Sequence, residues 1–148
     1  MRGGAFLRRP ILLETRMPTI LAVDDEPALL LAYETALTLE GYRVRTAATP
    51  AHALEAFAAE RPDLILLDIQ LGTEAMDGLD LLREFRVRRP EVPVIIASAY
   101  LSEARHTTAQ VAGAAAVLRK PVTLDCLRQC VGKVLVHSGQ AAIPGRVV

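Results

Sequence analysis

The stretch ILAVDDEP, Ile20–Pro27, decides how this chain is read. Ile20–Val23 is too short a run for a core helix, and it ends abruptly in Asp24-Asp25. Pro27 then stands where a helix tolerates proline, because the N–H it lacks has no partner inside the first turn. A buried strand passing into paired carboxylates and a helix start is the opening of a β-α unit. Similar runs follow outward along the chain: Leu64–Leu67 into Asp68, Val94–Ala97 into Ser98, and Ala115–Leu118 leading to Lys120-Pro121. Arg43–Ala47 alternates in polarity and reads as an additional strand at a sheet edge. Helical periodicity fills the intervals, which predicts an α/β fold: one five-stranded parallel sheet with helices on both faces.

The helix limits follow from capping chemistry. Leu30, Tyr33 and Leu37, with Leu29 and Ala36, form an apolar stripe that Gly41 terminates. Thr49-Pro50 starts a second helix with Leu54, Phe57 and Ala58 inward, ended by Arg61-Pro62. Asp77-Gly78 precedes a third, with Leu79, Leu82 and Phe85 on one face. Ser102 caps a fourth that reaches about Ala112. Thr123 caps a fifth, with Leu124, Leu127, Val131, Val134 and Leu135 as its stripe.

The 148 residues suffice for one domain with a sizeable core. Seventeen basic and seventeen acidic side chains cancel, so no net field draws the chain to nucleic acid or to an anionic membrane. No segment approaches the roughly 18 apolar residues of a membrane helix, and the expected location is cytoplasmic. The opening MRGGAFLRRPILLETR has no continuous apolar region of signal-peptide length. Residues 1–17 are expected to be a flexible extension, with translation starting at Met1 or Met17. A single domain is expected over 18–136, and 137–148, with Gly139, Pro144 and Gly145, as a disordered tail. Cys126 and Cys130 share a helix face and read as small core residues of a reducing compartment, in preference to a redox pair. His52, His106 and His137 read as surface residues.

Carboxyl ends of parallel strands lie along one edge, where open α/β sheets hold their ligands. Three carboxylates gathered there repel one another unless a cation intervenes. Magnesium suits such a site, because it takes oxygen ligands and keeps several waters. Asp25 and Asp68 are the expected direct ligands, Asp24 binds through a water, and the Gln70 backbone carbonyl is the remaining candidate. Asp24-Asp25 alone would also fit a helix N-terminus. Asp68 has no such duty at the end of a uniformly apolar strand. Lys120 can pair with a phosphate as a point charge, and the Ser98 hydroxyl can donate to a phosphoryl oxygen.

These segments, with MDGLDLL at Met76–Leu82, VIIASA at Val94–Ala99 and the pair Lys120-Pro121, resemble the receiver domains of two-component response regulators over about residues 18–136. Ser98 lies 30 residues after Asp68, and Lys120 lies 22 after Ser98, intervals that the family shares. The resemblance implies the flavodoxin-like strand order 2-1-3-4-5 and a stand-alone, chemotaxis-regulator-like switch. It implies that Asp68 accepts a phosphoryl group from a sensor histidine kinase or histidine phosphotransfer protein, with magnesium and Lys120 neutralising the phosphoryl oxygens. Ser98 would move toward the phosphate and repack the surface of helix four, strand five and helix five, to which a downstream protein binds. Two positions depart from the family. Val117 replaces the usual aromatic three residues before the lysine. The loop from Asp68 to Gly78 spans ten positions where eight is commonest, with Gly72 in place of a usual proline. Tyr100 is a nearby aromatic at a different place.

A phosphorelay intermediate passing its phosphate to a second histidine protein is the closest competing role. A phosphatase with Asp68 as nucleophile wants a second acid where Gln70 stands. A docking module without phosphorylation would not need Asp25, Asp68, Ser98 and Lys120 together.

Overall fold

The computed structural model describes residues 16–71, 75–99 and 102–139. Almost all of the expected extension and tail, along with Gly72 and Tyr100, lies outside the described residues. Strands β1 (Thr19–Val23), β2 (Arg43–Ala47), β3 (Leu64–Leu67), β4 (Val94–Ser98) and β5 (Ala116–Arg119) alternate with helices. These are α1 (Pro27–Leu39), α2 (Pro50–Glu60), α3 (Gly78–Arg88), α4 (Glu103–Val111) and α5 (Leu124–His137). The sheet order is β2-β1-β3-β4-β5 and every neighbouring pair is parallel, as the fold reading expects.

Each face of the sheet carries its own core, because successive strand residues point to opposite sides. Leu21, Val23, Ile65, Leu67 and Ile96 pack with Phe57 of α2 and Leu82 and Phe85 of α3. Ile20, Ala22, Leu64, Leu66 and Ile95 pack with Leu30 and Leu37 of α1 and Leu127 and Val131 of α5. A fully buried leucine or isoleucine contributes roughly 1.5–3 kcal/mol, so the two layers hold the central strands β1, β3 and β4 firmly. That rigidity extends to the residues following those strands.

Thr49, Asp77, Ser102 and Thr123 each cap a helix with a side-chain oxygen, and Asp77 forms a reciprocal capping box with Asp80. Gly41 has φ 96°, suiting the stop after α1, and Arg61 closes α2 in a left-handed conformation at φ 48°. At α1 the N-cap Glu26 makes no side-chain cap. Asp24 instead accepts the Glu26 N–H at 2.9 Å.

Several side-chain placements differ from the sequence expectation. Ala58 is exposed, and α2 turns Ala53 and Phe57 inward, one above the other at a spacing of four. Leu124, the first residue of α5, is 40% exposed because it precedes the turn that packs on the sheet. Cys126 is exposed and Cys130 half-buried, so the pair does not lie in the core. The fifth strand is shifted by one residue, and α5 extends through His137, the first residue of the expected tail.

Candidate functional site

Parallel register brings the acidic residues together. Val23 pairs with Leu67, so the residues that follow them emerge side by side at the sheet's carboxyl edge. The Asp68 N–H donates to the Val23 carbonyl at 3.0 Å, and the Asp24 N–H to the Ala47 carbonyl at 3.1 Å. Carboxylate oxygens of Asp24, Asp25 and Asp68 lie within 4.8 Å of one another. Asp24 and Asp68 are buried, at 2% and 6% exposure, whereas Asp25 faces solvent.

Lys120 enters this cluster from beyond β5. Its backbone N–H donates to the Ser98 carbonyl at 2.9 Å, and its peptide bond to Pro121 is cis. The ammonium lies 2.6 Å from Asp24 Oδ2 and 3.2 Å from Asp68 Oδ2. Glu26 Oε1 is 3.9 Å away. Burial alone would depress the Lys120 pKa; the hydrogen bond to Asp24 and the charges of Asp68 and Asp24 outweigh it and raise the value. For Asp68 the balance runs the other way. Burial raises its pKa, and the Gln70 N–H at 2.9 Å and the Lys120 charge offset this only in part. The carboxylate is therefore held in a poorly solvated state.

Ser98 ends β4 fully buried, and its hydroxyl has no hydrogen-bond partner among the described residues. An unmet buried hydroxyl is costly and awaits an acceptor. A depression of about 780 Å³ opens beside Gln70, lined also by Ile69, Asp77, Ala99, Ser102, Arg105 and Arg119. Arg105 of α4 reaches Asp77 at 3.7 Å across it.

The donor set fits a hard divalent cation. All three groups are carboxylates, and exposed Asp25 leaves room for retained waters. Gln70 stands beside Asp68 through its N–H. The structure thus brings Asp24, Asp25, Asp68, Gln70 and Lys120 together, with Ser98 linked to Lys120 through the backbone. Val117 packs half-buried against the core on the α2–α3 face of the sheet.

Three neighbours were not singled out from sequence. Glu26 sits within the ILAVDDEP stretch yet was read as part of a helix start. Tyr33 looked like one member of an apolar stripe; burial raises its pKa, and the charges of Lys120, Asp24 and Asp68 act on it. Gly78 begins α3 against the backbone that follows the third strand. A Cβ there would stand 2.5 Å from the Ile69 carbonyl oxygen and 2.6 Å from that of Asp68. Adjacent Asp77-Gly78 was the available signal, but only the packing explains why a side chain is excluded.

The profile of the response regulator receiver domain matches residues 20–132. The chain is 37% identical over 122 residues to the transcriptional regulatory protein GlrR of Escherichia coli (strain K12), covering 82% of this chain and 27% of that protein. It is 40% identical over 109 residues to the transcriptional regulatory protein KdpE of Mycobacterium tuberculosis (strain CDC 1551), covering 74% of this chain and 47% of that one. The chain thus spans less than half the length of either relative. A CheY-like receiver domain protein from Methanospirillum hungatei JF-1 superposes with TM-score 0.80 at 32% identity, covering 84% of this chain and 98% of its own.

Proposed function

The chain belongs to the response regulator receiver domain family, and from that premise we propose that it is a phosphorylation-controlled switch with Asp68 as phosphoacceptor. The observation that carries this reading is the pairing of a buried, poorly solvated Asp68 carboxylate with the Lys120 ammonium at 3.2 Å.

In the proposed reaction an Asp68 oxygen attacks the phosphorus of a phosphohistidine on a sensor kinase or phosphotransfer protein. The new O–P bond forms as the P–N bond breaks, and the imidazole departs with its electron pair. Lys120 spreads positive charge over the phosphoryl oxygens, which is the main demand of phosphoryl transfer. Magnesium, held by Asp25, Asp68 and the Gln70 carbonyl with Asp24 acting through a water, would supply further charge neutralisation when bound. The Gln70 N–H orients the acceptor carboxylate.

The output begins at Ser98. Its unpartnered hydroxyl donates to the phosphoryl oxygen, drawing the start of the β4–α4 connection toward the site. Because the Ser98 carbonyl holds the Lys120 N–H, the same displacement is transmitted to β5 and the start of α5. The α4–β5–α5 face then changes its affinity for a downstream protein, with 18–136 acting as the receiver module. The transcriptional roles named for GlrR and KdpE belong to proteins with more than twice the matched length. The output proposed for the receiver module itself is altered protein binding.

Incubation with acetyl phosphate and magnesium, read by intact mass, tests the assignment. One phosphate is expected on the wild type and none on Asp68→Asn. Labelling that persists in Asp68→Asn, or that needs no divalent metal, refutes it. Onward transfer to a histidine phosphotransfer protein would mark a relay intermediate.

A further inference from the structure

The opposite edge of the sheet carries a second charged depression, of about 450 Å³, lined by Arg16, Arg43, Arg61 and Arg89 together with Glu60 and Asp63. The two carboxylates are already engaged. Asp63 accepts the Thr19 N–H at 2.7 Å and pairs with Arg16. Glu60 is held by Arg45 at 2.8 Å. Arg43 and Arg61 have neither a hydrogen bond nor an ion pair through their guanidinium groups among the described residues, although the Glu91 charge acts on Arg61. Arg89 binds Glu91 through Nε at 3.0 Å and lies 5.6 Å from the centre of the Phe57 ring, with Nη1 buried and without an acceptor among the described residues.

Helix C-termini attract cations, which accounts for Arg61 and Arg89 at the ends of α2 and α3. It does not account for Arg43, which opens β2. Arg61 also holds a left-handed backbone, φ 48°, which a side chain adopts only at a cost in strain. Three planar donors from three separate elements therefore surround a depression with too few acceptors. Guanidinium groups in this arrangement match the oxygens of a phosphate or pyrophosphate, which accept paired hydrogen bonds.

We propose that this depression binds a pyrophosphate-bearing small molecule through Arg43, Arg61 and Arg89, at a site separate from the Asp68 pocket. The pyrophosphate can be free or part of a nucleoside diphosphate. Either source places its oxygens on Arg43 and Arg61, with the partly exposed Arg89 guanidinium beside them.

Calorimetric titration of the full chain in magnesium-free buffer at physiological ionic strength tests this, with inorganic pyrophosphate and adenosine diphosphate as parallel ligands. Saturable binding is expected, and it weakens roughly tenfold or more in Arg43→Gln and in Arg61→Gly. Glycine relieves the left-handed backbone, so Arg61→Gly keeps its fold, with a Tm no lower than the wild type. Tighter binding of the nucleotide identifies a nucleotide as the source, and equal binding identifies the pyrophosphate group alone. Absence of saturable binding, equal binding by sulfate, or undiminished binding in both arginine variants overturns the proposal. Loss of binding in Lys120→Met with both arginine variants unaffected would assign the anion to the Asp68 pocket and overturn it equally.

Discussion

Lys120 holds its ammonium 2.6 Å from Asp24, a residue 96 positions earlier in the chain. The same nitrogen reaches Asp68 at 3.2 Å, so one cation from the fifth strand's end restrains carboxylates from the first and third. In the absence of divalent metal, this contact is what makes the acidic cluster tolerable.

Lys120→Met should therefore destabilise the metal-free protein by about 3 kcal/mol at pH 7, because it leaves buried carboxylates without their counter-ion. The folded-state pKa of Lys120 is raised. Its contribution is thus complete below the ordinary lysine range and disappears as pH climbs through the raised value. Urea denaturation at pH 7 and above pH 10 checks both statements. Added magnesium should restore more stability to Lys120→Met than to the wild type.

Asp68→Asn should be more stable than the wild type at pH 7 in metal-free buffer. Burial raises the Asp68 pKa above its ordinary 3.8 despite Gln70 and Lys120, so the folded state binds its proton more tightly than the unfolded chain. Stability contributed by this group falls as pH rises from 3.8 through the raised folded value. The advantage of the asparagine should accordingly fade toward acid pH. Thermal unfolding between pH 3 and pH 8 measures it, and a constant difference across that range would contradict the assignment.

Gly78→Ala should cost about 2–3 kcal/mol, because the added Cβ meets the carbonyl oxygens of Asp68 and Ile69, which are backbone and have little room to yield. The same displacement should slow phosphorylation of Asp68. Chemical denaturation, together with the rate of acetyl phosphate labelling, reads the two effects separately.

Ser98→Ala should leave the unphosphorylated protein at least as stable, since it removes a buried hydroxyl that has no partner among the described residues. Labelling of Asp68 should persist. What should diminish is the phosphorylation-dependent change in amide exchange across α4 and β5. An undiminished change would place the coupling elsewhere.

Much of this fold was legible in local sequence. Leu64–Leu67 is apolar throughout because both faces of β3 are covered, and Asp68 stands out for ending that run in a charge. Thr49, Asp77, Ser102 and Thr123 marked helix starts because a capping oxygen acts only a few residues from its own position. The spacing of Asp68, Ser98 and Lys120 carried the family resemblance, and with it the strand order. Tertiary structure alone decided the rest. Ala53 and Phe57, four residues apart, form the inward face of α2 and leave Ala58 outside. Leu124 stays in solvent because α5 begins before it reaches cover. Lys120 meets Asp24, the Ser98 hydroxyl is buried without a partner among the described residues, and Arg43, Arg61 and Arg89 share one depression only after parallel strands lock in register. Periodicity and capping act over one or two turns of chain; contacts between residues tens of positions apart depend on how whole elements stack.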